Sequence, residues 1–264
     1  MKKLLLTLVV LGAIVAFAEN TVLHVIDFET SEGYHVGNLK GQNGWTWDYS
    51  ADEYNQVVSD TTGVPSGSQY ASIGVVGGEI QSGIGRPRVA FDISEDYVQG
   101  NKLLVSWASS RQSGQTLAIK LHDLGTTGKS YDVEICEIEM YGSFTHKIKV
   151  SDEENKGKEI SKNLYNPTDF HRFSLLLEPA TRTIKEYVVD DQVIIDGTTV
   201  YHYRSNSTFA PDPEHPEKHP GDLIDGLRLQ GYGAIDNFKV EMVPEPAIFG
   251  LLALLGLFFA RKQR

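Results

Sequence analysis

Three groups of side chains in this sequence have the types and spacing to do chemistry. The first is aromatic: Trp45, Trp47, Tyr49 and Tyr54 fall in one stretch rich in Gly, Asn, Asp and Ser. Sugar C–H groups pack on flat apolar faces while a few polar groups at the rim hold the hydroxyls. In an extended segment Trp45, Trp47 and Tyr49 share one side, and Asp48, Asp52 and Asn55 supply polar partners. The cluster is therefore a carbohydrate-binding candidate, with Trp45 as a core aromatic plugging one end of the fold as the competing reading. The second group is Asp27, Glu29 and Asp236, with Asn237 beside them. Hard cations take carboxylate and carbonyl oxygens of this kind from turns and strand ends, and calcium is the metal they would suit. No twelve-residue calcium loop is present, and plain solvation of strand ends is the alternative. The third is the run Glu134-Ile135-Cys136-Glu137-Ile138-Glu139. In a regular strand Glu137 and Glu139 face away from Glu134, the pattern of a strand with one acidic face.

Other chemistries lack their residues. His215 and His219 are four apart, but the prolines between and around them forbid the helix that would place both on one face of a zinc site. There is no nucleophile elbow and no phosphate-cradling glycine loop. The formal charge is -11, and removal of the two chain ends discussed below takes away Lys2, Lys3, Arg261, Lys262 and Arg264, leaving the body more acidic still. Such a surface repels polyanions, so a nucleic-acid partner is not expected, whereas neutral glycans or divalent cations are compatible. The single cysteine, Cys136, excludes a disulfide within one chain and leaves stability to the core.

Between the ends almost no helical periodicity is found. Runs that alternate or are rich in β-formers recur instead, among them 21–29, 70–76, 88–93, 103–109, 116–124, 131–141, 145–150, 171–178, 183–189, 192–195, 223–229 and 234–242, separated by Gly, Asn, Asp and Pro. About a dozen strands without intervening helices predict an all-β, antiparallel two-sheet β-sandwich rather than βαβ units. Asp190-Asp191 between 183–189 and 192–195 predicts a hairpin, and Pro179 should end the strand before it. Residues 41–69 and the proline-rich 203–220 read as long loops. No boundary divides the body, so one domain is expected over 19–243.

The ends carry targeting signals. Lys2 and Lys3, an apolar run from Leu4 to Phe17 and Ala16-Phe17-Ala18 predict a cleavable signal peptide over 1–18. At the other end, Pro244-Glu245-Pro246 precedes an apolar stretch over 247–260 and then Arg261-Lys262-Gln263-Arg264. Fourteen helical residues span about 21 Å against roughly 30 Å of hydrocarbon, but the basic cluster behind them is a stop-transfer signal. These features in this order resemble the PEP-CTERM sorting tail, over residues 244–264. The resemblance implies that Pro244, Glu245 and Pro246 are the motif read by an exosortase-type membrane protease. It also implies a precursor tethered to the inner membrane of a Gram-negative bacterium, then the cell surface or extracellular matrix, and association with exopolysaccharide.

A second resemblance covers most of the body. Ile26-Asp27-Phe28-Glu29, then Glu32-Gly33-Tyr34 and Gly41-Gln42-Asn43-Gly44-Trp45, is similar to the opening of concanavalin A-like and laminin-G-like jelly rolls. Ala234 to Val240 resembles their last strand, and 171–190 their late hairpin. In such a fold the first and last strands pair, which would bring Glu29 near Asp236. The run 134–139 also resembles the strand motif of laminarinase-like glycoside hydrolases. There one glutamate is nucleophile and the other general acid/base in a retaining mechanism, which Glu134 and Glu139 would match, while Cys136 stands where that family has aspartate. Three functions remain open: a non-catalytic glycan-binding or matrix module, a glycoside hydrolase or degenerate relative using Glu134 and Glu139, and a purely structural or adhesive surface protein.

Overall fold

Alternation does most of the folding. In His171–Glu178 every second residue, from His171 through Phe173, Leu175 and Leu177, is buried, while Arg172, Ser174, Leu176 and Glu178 are not. A period of two places one face on a core and leaves the other outside. In the computed structural model the described residues are 20–47, 54–59, 67–81, 86–91, 93, 101–123, 133–141, 145–151, 157–163, 166, 168–181, 183–197, 201–203 and 224–244. For the strands between 133 and 163 and over 201–203, the description is of backbone and register.

The described strands are β1 (Thr21–Ile26), β2 (Gly37–Asn38), β3 (Thr46–Trp47), β4 (Asn55–Ser59), β5 (Gln69–Ile73), β6 (Val75–Val76), β7 (Glu79–Ile80), β8 (Pro87–Ala90), β9 (Lys102–Arg111) and β10 (Leu117–Asp123). They continue as β11 (Val133–Tyr141), β12 (Thr145–Ser151), β13 (Gly157–Asn163), β14 (His171–Glu178), β15 (Thr183–Val189), β16 (Gln192–Ile195), β17 (Tyr201–Tyr203), β18 (Gly226–Gly231) and β19 (Gly233–Val243). All pairings are antiparallel. Two layers result. The first runs β1-β19-β9-β14-β15-β16, with β5 and β4 continuing beside the start of β19. The second runs β3-β8-β18-β10-β11-β12-β13. Strand β17 pairs with both β12 and β15 and joins the layers along one edge. The expected antiparallel β-sandwich is what the chain forms.

Between the layers lies one apolar cluster, with Leu103, Val105, Leu175, Tyr187 and Val240 from the first and Leu117, Ile119, Leu121, Leu227 and Leu229 from the second. Each such side chain contributes about 1.5–3 kcal/mol by leaving water. Trp107 and Phe173 are cross-strand partners whose rings stack at 5.3 Å. The expected pairing of first and last strands is present: Thr21 to Ile26 run against Met242 to Phe238. Asp190 and Asp191 have φ of 48° and 63°, the left-handed pair that a two-residue hairpin turn requires. Strand β14 stops at Glu178, and Pro179–Thr181 forms a 3-10 turn.

The long loop expected over 41–69 is corrected in part, since β3 and β4 lie inside it. The other, 203–220, lies outside the described residues apart from Tyr203, as do residues 1–18 and, after Pro244, the rest of the tail. Among the described residues no helix is long and apolar enough to cross a membrane.

Candidate functional site

The outward face of the first layer carries an open groove of about 430 Å³. One row of paired residues crosses it. Val25 lies opposite Lys239, Lys239 opposite Ser106, Ser106 opposite Ser174 and Ser174 opposite Val188. In the next row Asp236, Ala108 and Arg172 are register partners. The small side chains of Ser106, Ala108 and Ser174 form the floor of the groove, because mid-strand positions without bulk leave a depression in a pleated surface. Asp27 lies at the β1 end, Asp191 at the β15–β16 turn, and Asn237 beside Lys239. Asn237, at φ 54°, sits in a bulge where the β19–β9 register shifts, the device by which a strand re-aims a side chain.

Arg172 is rooted through its backbone. Its N–H donates to Asp190 Oδ1 at 2.9 Å, and its carbonyl accepts the Asp190 N–H at 3.0 Å. Asp190 Oδ2 meets Nδ1 of the buried His171 at 2.5 Å, and His171 Nε2 lies 3.0 Å from the Asn166 carbonyl oxygen, so each ring nitrogen faces an acceptor. The Arg172 side chain is exposed, and among the described residues its guanidinium has no carboxylate partner, whereas Lys239 Nζ is held by Glu241 at 2.9 Å. Of the groove residues only Asp27 and Asn237 were singled out in the sequence, as part of a cation site; Ser106, Ala108, Arg172, Ser174, Asp191 and Lys239 were not. Polar residues alternating along a strand mark any solvated face, and the only local sign was the run of Ser and Ala in strands otherwise rich in branched side chains.

Among the described residues the aromatic candidates fall in different parts of the fold. Trp45 is fully buried and is withdrawn as a sugar contact. Its indole N–H donates to Tyr34 Oη at 3.0 Å and its ring lies 6.1 Å from Phe28. Gln42 sets this direction: it accepts from His35 N–H at 2.7 Å and donates to the carbonyls of His35 and Asn38, while its own carbonyl accepts the Trp45 N–H at 2.9 Å. Trp47 lies in β3 opposite Pro87, in the second layer. Tyr54 is half-buried and immediately precedes β4, on the first layer's side, and Tyr49 lies outside the described residues.

The expected calcium set is likewise dispersed. Glu29 turns to the chain ahead of β5, accepting from Ser68 N–H at 2.6 Å, Gln69 N–H at 2.8 Å and the Ser68 hydroxyl at 3.1 Å. Asp236 is fully buried and Asp27 lies in the groove. Among the described residues no three His, Cys, Asp or Glu side chains are placed to hold a metal ion. Strand pairing did bring the two termini together, but the hydrogen bonds of Glu29 give its carboxylate a structural task. Burial acts to raise that carboxyl, and the donors of Ser68 and Gln69 outweigh it, leaving it below the usual 4.5. The unfolded state then binds more protons than the folded one as pH falls, so this contribution is present above that ordinary value and is lost on acidification through the folded one. Glu29→Gln is expected to lower stability at pH 7 by about 1 kcal/mol, modest because the carboxylate is partly solvated. The gap from wild type should narrow in urea unfolding as the pH is taken progressively below that ordinary value; a gap that stays constant on acidification would contradict it.

Glu134 and Glu139 belong to β11, in the other layer from the groove. The β10–β11 register shifts so that Leu121 opposes Cys136 and His122 opposes Glu134. Ile135 is the extra residue, and Glu134 therefore falls in the same alternation phase as Glu137 and Glu139, which correct the regular-strand expectation, while Cys136 falls in the opposite one. Glu137 stands between Lys120 and Lys149, and Glu139 between Ala118 and Lys147. Of the sorting motif, Glu245 and Pro246 lie outside the described residues.

No family model matches the chain, and no curated protein matches it. Solved structures of low similarity include one reported for endo-acting O-glycanases of the human gut microbiota, at 11% identity over 85% of this chain and 100% of that one, with a TM-score of 0.46. The laminarinase from Rhodothermus marinus is 14% identical over 84% of this chain and 97% of its own, with a TM-score of 0.45. Sheep galectin-11 is 11% identical over 60% and 95%, with a TM-score of 0.34. Likeness at this level carries no argument about this chain, whose all-β fold is read from its own strands and registers.

Proposed function

We propose that this chain is an exported, non-catalytic saccharide-binding protein of the cell surface or matrix, delivered by its signal peptide and held by its C-terminal sorting tail for an exosortase-type protease. The observation that carries the binding reading is the outward groove of the first layer, lined with hydroxyl, amide, carboxylate and cationic groups over a floor of small side chains. An elongated, hydroxylated polymer chain is the kind of ligand that such a surface accommodates. Hydrolysis fits it less well. Asp27 and Asp191 stand four strand spacings apart, about 19 Å at roughly 4.8 Å per strand, against the 5–9.5 Å or so that glycosidic cleavage requires of its two carboxyl groups. Glu134 and Glu139 lie in the other layer.

The test is incubation of the full-length chain with a panel of soluble and insoluble polysaccharides, scoring protein retained and sugar released. Retention without release is expected, unchanged in Glu134→Gln and Glu139→Gln. Release that disappears in either variant would replace this reading with the hydrolase. Neither retention nor release across the panel would leave the structural or adhesive role in its place.

A further inference from the structure

Resting on the groove as a saccharide site, we infer that its ligand is an acidic polysaccharide, one whose sugars bear carboxylates, and that Arg172 is the residue that selects it. Four observations converge. Among the described residues the side chains that point into the groove include no aromatic ring: Trp107 and Phe173 contribute to its lining but are themselves buried, in the core-facing phase of β9 and β14. Without a stacking face, the polar contacts must supply most of the affinity. Second, Arg172 sits among Ser106, Ala108 and Ser174 with its fork exposed and, among the described residues, no acidic partner, while the neighbouring cation Lys239 is already neutralised by Glu241. A planar guanidinium binds a carboxylate through two parallel N–H bonds, which an ammonium cannot do.

Third, the backbone of Arg172 is held before any ligand arrives, by two hydrogen bonds to Asp190 and by the contact of Asp190 with His171, so the point from which the guanidinium reaches into the groove is set. Fourth, of the other carboxylates that line the groove among the described residues, Asp27 lies at its β1 end and Asp191 at the β15–β16 turn, next to Asp190 and one strand from Arg172. There they would accept hydroxyl protons from the sugars on either side of the acidic one. In an otherwise acidic chain, this arrangement leaves Arg172 as the groove cation without a carboxylate partner among the described residues, with acceptors further along the groove on either side.

The experiment compares polygalacturonate with the same polymer after methyl esterification, which removes the charge and keeps the backbone, using affinity electrophoresis of the full-length chain. Wild type is expected to bind the acid form at least about tenfold more tightly than the ester, the worth of a charge-assisted bidentate pair. Arg172→Gln should erase that preference without shifting the thermal midpoint, and Arg172→Lys should restore only part of it. Equal binding of acid and ester, or a preference that survives in Arg172→Gln, would overturn the acidic ligand and leave saccharide binding intact. Binding to neither, with neutral glycans retained, would do the same. A chain that retains no polysaccharide at all would instead remove the parent reading.

Discussion

Gly231→Ala is expected to be the most damaging single methyl in the described chain, costing upwards of about 3 kcal/mol and leaving little folded protein at 37 °C. The residue ends β18, just before the chain leaves the second layer for the first. Its φ is 120°, and a Cβ there would stand 2.0 Å from the Thr116 carbonyl oxygen and 2.9 Å from its carbon. Both neighbours are backbone, and the same oxygen accepts the Tyr232 N–H at 2.8 Å, so it cannot retreat without breaking the crossover. Gly114→Ala is the control: at φ 71° with nothing within 4 Å of the new Cβ, it should cost only the strain of the left-handed region, about 1–2 kcal/mol. Urea unfolding of the two variants separates close approach from backbone strain. Similar losses at both positions would show that the crossover has more room than the structure gives it.

Trp45→Ala should lower stability by about 3–5 kcal/mol, the cost of emptying a large aromatic site that the surroundings cannot fill, together with the bond lost by Tyr34. Trp45→Phe, which keeps most of the packing against Phe28 and Tyr34, should cost less than half as much. The measurement is the unfolding midpoint beside polysaccharide retention in native buffer. Reduced retention with an unchanged midpoint would return Trp45 to the ligand surface, against its complete burial.

What could be read from the chain followed from how local the determining physics is. Strand β14 and the β15–β16 hairpin were legible because period-two burial and an Asp-Asp turn are written in consecutive residues. Strand β13, Gly157–Asn163, was not: its Lys-Glu-Ile-Ser-Lys core has no apolar alternation, and it pairs with β12 alone, at the end of its layer. Strand β4 was hidden by Asn55 and Gln56, which read as loop residues until their pairing with Ile73 and Ser72 is known. Trp45 pointed inward because of Gln42, whose hydrogen bonds close the turn before it, and hydrogen bonding of that kind leaves no periodic trace. The acidic strand was assigned an alternation that a bulge at Ile135 reverses, and bulges are set by the partner strand.

The groove is the extreme case. Its rows draw on β1, β19, β9, β14 and β15, strands separated by as much as two hundred residues in sequence, so its existence depends on four registers at once. A one-residue slip in any of them would exchange its outward serines for core side chains.

Saccharide binding in the groove of the first layer is tested by amide hydrogen exchange of the full-length chain with and without a saturating polysaccharide from the retention panel. New protection is expected in β9, β14 and β19 around Ser106, Arg172 and Lys239, with β10 to β12 unchanged. Protection confined to β10, β11 and β12 would contradict it and move the site to the face that carries Glu134 and Glu139.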